Sequence, residues 1–178
     1  IMKKQKILVI ANGLFGKDPG LSGGDVRFLE IVRRWHNDGH EIHLLSSPEA
    51  IHVCKIFGFT PIMHEIPGPA VASRMTFVTR AWQTCTSLPK SLDTFTNGII
   101  YSVNDSVFDS VPAFRLKLRH RNTLRWAAVV HWLPPFPPWK RKRSTLFNSI
   151  LFFINERMSA LLIKYFADVV LAVSETTA

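Results

Sequence analysis

From residue 6 to residue 11 the chain reads Lys-Ile-Leu-Val-Ile-Ala, an apolar run of the kind that a strand buried on both faces requires. A glycine-rich loop over 12–24 follows. Residues 25–37 then carry helical spacing at Val26, Leu29 and Val32, with Trp35 and His36 near the end. Asp38-Gly39 stops that helix, and 41–45 is a second strand. A strand, helix and strand in this order form a crossover, and crossovers build parallel sheets.

The alternation continues along the chain. The pattern predicts a helix over 48–57, an extended segment over 60–66, a turn at Pro67-Gly68-Pro69 and a helix over 71–86 that ends at Leu88-Pro89. It then predicts a strand over 99–103, a helix over 107–119 and a strand over 125–131. The proline-rich stretch 133–139 can continue neither element. A long helix over 145–166 and a strand over 169–173 complete the series, and no internal repeat is present. The expected fold is α/β: an open, doubly wound, mainly parallel Rossmann-like sheet with helices on both faces, residues 1–178 forming a single domain. Ligands of such sheets sit beyond the carboxyl ends of the strands. Those ends carry Asn12-Gly13, Ser46-Ser47, Asn104-Asp105, His131 and Ser174. Ser174-Glu175-Thr176-Thr177 reads as the cap of a further helix, so the chain is expected to be part of a longer protein.

Composition narrows the class. With 178 residues, 47% hydrophobic and 20% charged, the chain has material for one core and is not a disordered segment. The start, Met2-Lys3-Lys4-Gln5-Lys6 before Ile7–Ile10, imitates a signal peptide, but the apolar run is short and no clean cleavage site follows. No apolar stretch reaches the roughly 18–20 residues of a spanning helix. Cys54 and Cys85 make no disulfide framework and read as reduced thiols of a cytosolic protein. The balance of 22 Lys and Arg against 13 Asp and Glu, formally +9, favours anionic partners: phosphorylated small molecules, acidic lipid or nucleic acid.

Two nucleotide-binding motifs fail. A dinucleotide site needs G-x-G-x-x-G directly after the strand and an acid closing the second strand. The loop here is Asn12-Gly13-Leu14-Phe15-Gly16, and the second strand ends Ser46-Ser47. A P-loop needs Gly-Lys followed by Ser or Thr, whereas Gly16-Lys17 precedes Asp18. What remains is Ser22-Gly23-Gly24-Asp25 at the head of the first long helix. Its amides and helix dipole suit a phosphate, although an ordinary flexible helix start reads the same way. His36, His40 and His43 straddle a helix end, a turn and a strand without a fourth ligand, so no metal site is expected.

Read together, distant pieces carry more. Gly23-Gly24-Asp25 leads a helix that ends Asn37-Asp38-Gly39-His40-Glu41-Ile42-His43-Leu44-Leu45. Val129-Val130-His131 and Ala167-Asp168-Val169-Val170-Leu171-Ala172-Val173-Ser174 come later. In this order they resemble the N-terminal domain of the family 4 glycosyltransferases, retaining enzymes of the two-domain GT-B fold. The resemblance implies an enzyme that, as a full-length protein, moves a sugar from a sugar nucleotide to an acceptor with retention of configuration. It implies Gly23 and Gly24 facing the donor's phosphates, His131 near the transferred sugar, and no bound metal or other cofactor. It also implies a C-terminal donor-binding domain that this chain lacks, so the chain alone is expected to be inactive. Asn104 and Asp105, at a strand end, are acceptor-side candidates, and a turn is their alternative role.

The segment Pro134-Pro135-Phe136-Pro137-Pro138-Trp139 is not a general feature of that family. The basic cluster Lys140, Arg141, Lys142 and Arg143 follows it, and then a helix whose positions 147, 150, 151, 154, 158, 161, 162 and 165 share one apolar face. Such a pair suits the inner, cytoplasmic face of an anionic membrane and a glycolipid acceptor; a core helix beside a solvated basic turn is the other reading. A non-catalytic Rossmann-like binding domain is the alternative function. Nucleic-acid binding would need a groove-reading helix or an aromatic platform, and the sequence carries neither signature.

Overall fold

The computed structural model describes residues 4–12, 21–66, 79, 82–131 and 146–173. Six strands form one sheet: β1 (Lys6–Ile10), β2 (Glu41–Ser46), β3 (Ile62–Glu65), β4 (Gly98–Ser102), β5 (Arg125–Val130) and β6 (Val169–Ala172). Their order is β3-β2-β1-β4-β5-β6, and all neighbours pair in parallel. The helices are α1 (Gly23–Asn37), α2 (Ala50–Ile56), α3 (Val107–Arg119) and α4 (Leu146–Phe166). Residues 82–86 are helical as well, and a short 3₁₀ turn spans Lys90–Leu92.

Strand alternation divides the core in two. Ile7, Val9, Ile42, Leu44, Tyr101 and Val129 meet Phe28, Leu29 and Val32 of α1 together with α2 on one face. Leu8, Ile10, Leu45, Ile100, Trp126 and Val130 meet Ala113 and Leu116 of α3, Ile163 of α4, and Leu92 on the other. The sheet is doubly wound, with helices on both faces, and corresponds to the N-terminal half of a GT-B-like fold.

Most element bounds agree with the sequence reading to within two residues; the first helix differs in a way that matters. It begins at Gly23 rather than residue 25, because a capping box closes there. Ser22 Oγ accepts the Asp25 amide at 3.2 Å, and Asp25 Oδ2 accepts the Ser22 amide at 2.8 Å. Gly23 and Gly24 are therefore first-turn residues whose N–H groups have no partner within the helix. At the other end Gly39 takes φ +83° and turns the chain into β2, as its position after the helix predicts. Of the helix expected over 71–86, only residues 79 and 82–86 lie within the described residues.

Candidate functional site

The strand order reverses between β1 and β4: β1 leads away to β2 on one side, and the chain returns to the other side at β4. In open α/β sheets a crevice opens there at the carboxyl ends. Its floor is built by Asn12, the second residue after β1. Its amide donates to Asp109 Oδ1 at 2.8 Å, and its Nδ2 donates to the Phe108 carbonyl at 3.0 Å. The second bond has a specific cause. Pro112 lies inside α3 and has no N–H to offer the carbonyl four residues before it, which is that of Phe108. Asn12 satisfies the carbonyl that the proline leaves open, and so pins α3 to the end of β1. Ser46 Oγ, at the end of β2, donates to the Ala11 carbonyl at 2.7 Å.

Above this floor three of the sequence candidates come together. His131 follows β5 directly. Its backbone N–H donates to Asp105 Oδ2 at 2.9 Å, and its Nδ1 lies 3.8 Å from Asp105 Oδ1. A Cβ added to Gly24 would stand 3.6 Å from His131 Nε2, so the imidazole sits against the first turn of α1. A Cβ on Gly23 would meet nothing within 4 Å, so packing does not demand glycine there. Asp105 thus positions the histidine loop. Asn104 is half-buried beside it and makes no side-chain hydrogen bond among the described residues. Gly13, Ser174 and the cluster Lys140–Arg143 lie outside the described residues.

Several of the buried polar atoms left without a hydrogen bond lie just after the strands or in the first turn of α1. Asn12 Oδ1 after β1, Ser47 Oγ after β2, Ser106 Oγ after β4, His131 Nδ1 after β5 and Asp25 Oδ1 in the first turn of α1 have none among the described residues. Buried polar groups are nearly always paired, and where they are not, a ligand or water is the usual explanation. Glycine amides and serine hydroxyls can donate to an anionic group, while Asn12 Oδ1 and Asp25 Oδ1 can only accept, as from a ligand hydroxyl. No group of three or more His, Cys, Asp or Glu side chains able to hold a metal occurs among the described residues.

Sequence reading missed the role of Asn12, whose signal is Pro112 in a helix. It also missed the pairing of His43 with His64, which lies elsewhere on the sheet. Asp168 of the Ala-Asp-x-Val segment has a structural duty: it binds Lys117, Arg125 and the Trp126 amide. Burial pushes its carboxyl up, but those three hydrogen bonds outweigh it and hold the group below the usual carboxylate range. Both cysteines are free, and burial drives the Cys54 thiol up to about 12, which makes it inert as a nucleophile at neutral pH. No protein-family model matches the chain, and no curated protein matches it.

Proposed function

We propose that the chain is the acceptor-side half of a retaining glycosyltransferase that takes its sugar from a sugar nucleotide. The observation that carries this reading is the meeting of Gly24, His131 and Asp105 at the β1/β4 crevice, amid buried polar atoms that lack partners. First-turn amides of α1 stabilise charge on the departing diphosphate, and His131 lies where the transferred sugar would enter. A C-terminal domain would close over the donor. The acceptor is a glycan or glycolipid, with Asn104 placed to contact one of its hydroxyls.

The test is titration of the isotopically labelled chain with uridine and guanosine diphosphate sugars, followed by NMR. The Gly23, Gly24 and His131 amides should shift, and His131→Ala should weaken binding about tenfold, the loss of one hydrogen bond to a charged group. Gly24→Ala leaves the fold intact, since its Cβ meets only ordinary contacts at 3.5 and 3.6 Å, yet it fills the gap below His131 and should weaken binding similarly. Shifts scattered away from the crevice would overturn the reading.

A second reading concerns the membrane, and α4 favours it. Ile150, Leu151, Ile154, Met158, Leu161 and Tyr165 are exposed on that helix, while Ser149, Glu156 and Ser159 are buried. We propose that this apolar face, following the basic run Lys140–Arg143, rests on an anionic cytoplasmic leaflet. Replacing those four basic residues with Gln should abolish sedimentation with phosphatidylserine vesicles; unchanged sedimentation would remove the proposal.

A further inference from the structure

On the sheet face that carries Leu45, away from α1, four polar side chains form one line. Glu41 Oε1 lies 2.7 Å from His43 Nε2. His43 Nδ1 lies 2.9 Å from His64 Nε2, and His64 Nδ1 lies 2.7 Å from Ser91 Oγ. Both imidazoles are buried and stacked 18° from parallel, and Phe95 stands edge-on to His43. The two ends of the line, Glu41 and Ser91, are exposed.

One set of protons satisfies all three bonds with both histidines neutral. A carboxylate only accepts, so His43 Nε2 carries the hydrogen and its Nδ1 accepts. His64 must then donate from Nε2, which leaves the lone pair on Nδ1. That lone pair accepts the Ser91 hydroxyl. Lys6 Nζ, 3.7 Å from Glu41, supports the ionised carboxylate. The hydrogen bond from His43 is the largest influence holding that carboxyl below its ordinary value. A proton added at His64 Nδ1 leaves His64 Nε2–H donating to His43 Nδ1 across 2.9 Å, so the line survives protonation there. Burial and, after it, the neighbouring His43 depress the His64 pKa to about 4, so its Nδ1 stands unprotonated at neutral pH. Of the other nearby charges, Asp93 is engaged by Arg119.

An exposed hydroxyl that donates to a buried neutral imidazole, itself braced through a second group to a carboxylate, is the arrangement of an activated nucleophile. We propose that Ser91 is a nucleophile toward activated carboxylic esters, with His64 as its general base and His43 and Glu41 as positioning residues. Ser91 Oγ attacks the ester carbonyl carbon, and its proton passes to His64 Nδ1. The bond from that carbon to the leaving oxygen breaks, and the leaving oxygen takes the proton from His64. The products are acyl-Ser91 and the free alcohol. The step uses no group of the β1/β4 crevice and stands apart from the sugar-transfer reading.

The probe is p-nitrophenyl acetate added to the intact chain, with nitrophenolate release followed by absorbance and the acetylated residue located by peptide mass spectrometry. The expected result is a burst of about one equivalent with the acetyl group on Ser91, lost in Ser91→Ala; such a burst marks an accumulating acyl-enzyme. His64→Gln should slow acylation ~100-fold, the usual minimum contribution of a positioned base. His64 is buried, so Glu41→Gln at the exposed end is the second variant. It should lower the rate and move the acid limb of the pH–rate profile to lower pH, because the imidazole pair holds a proton less tightly without the carboxylate. Acetyl groups confined to lysines and the N-terminal amine would overturn the proposal. So would Ser91 acetylation whose rate and pH profile are the same in Glu41→Gln.

Discussion

Asp168 holds two elements to the start of β5 with one carboxylate. Its Oδ2 accepts from Lys117 Nζ and from the Trp126 amide, both at 2.7 Å, and its Oδ1 accepts from Arg125 at 3.1 Å. Its own amide donates to the Trp126 carbonyl at 2.8 Å. Asp168→Ala leaves the largely buried Lys117 ammonium with the Leu124 carbonyl but no counter-charge, and should cost about 2–4 kcal/mol in urea unfolding. The pH dependence follows from the lowered carboxyl. A folded-state pKa below the unfolded one stabilises the fold above the ordinary value of 3.8, and that stability is lost as pH falls through the folded value. The variant should therefore lose less stability than the wild type between pH 5 and pH 2, two conditions chosen to bracket the transition; parallel curves would show that Asp168 is not so engaged. Asn12 makes the same point without charge, since a proline in one helix sets the hydrogen bonding of a residue 100 positions earlier.

Among the elements, α4 departs furthest from ordinary helix logic. A surface helix turns its apolar stripe to the core, yet α4 buries Ser149, Glu156 and Ser159 and exposes Leu151, Met158 and Leu161. Part of the cause is the start of α3. Ser106 makes no side-chain cap there, and Asn155 Oδ1 of α4 accepts the Val107 amide at 3.2 Å instead. Asn155, which interrupts the apolar sequence of α4, thus faces α3 because that helix start needs an acceptor. Leu161→Ser, at a site 54% exposed, should change stability by no more than about 0.5 kcal/mol. Ser159→Leu, at a site with no exposure, should cost about 1–3 kcal/mol by overpacking. Denaturant titration of both decides the orientation, and the reverse ranking would contradict it. Leu162, expected on the same face as Leu161, leans instead on the core beside Ile163.

For the molecule as a whole, the sheet order matters more than any one motif. A single parallel sheet with its reversal at β1/β4 gathers residues 12, 24, 105 and 131 at one edge. A ligand that binds the native crevice alone must raise the melting temperature by mass action. A sugar nucleotide at ~100 times its Kd should contribute about 2.7 kcal/mol, or roughly 5–10 °C for a chain of this size. The shift should shrink with added salt, given the formal charge of +9, and should shrink in Gly24→Ala. An equal shift in that variant would place the ligand elsewhere.

The sequence by itself determined the strand and helix alternation, the parallel sheet and its carboxyl-end candidates. Apolar runs such as Ile7–Ala11 and stops such as Asp38-Gly39 are local signals, written in neighbouring residues. The proximity of Gly24, Asp105 and His131 was legible only as far as all three lie at the same edge of a doubly wound sheet. Tertiary structure decided the rest, because each remaining feature depends on contacts between residues far apart in the chain. The capping of Val107 by Asn155, the union of Asn12 with Phe108 and the clamp at Asp168 each depend on which backbone groups a neighbour leaves unpaired once the sheet has closed, and the line from Glu41 to Ser91 depends on the register that sets β2 beside β3.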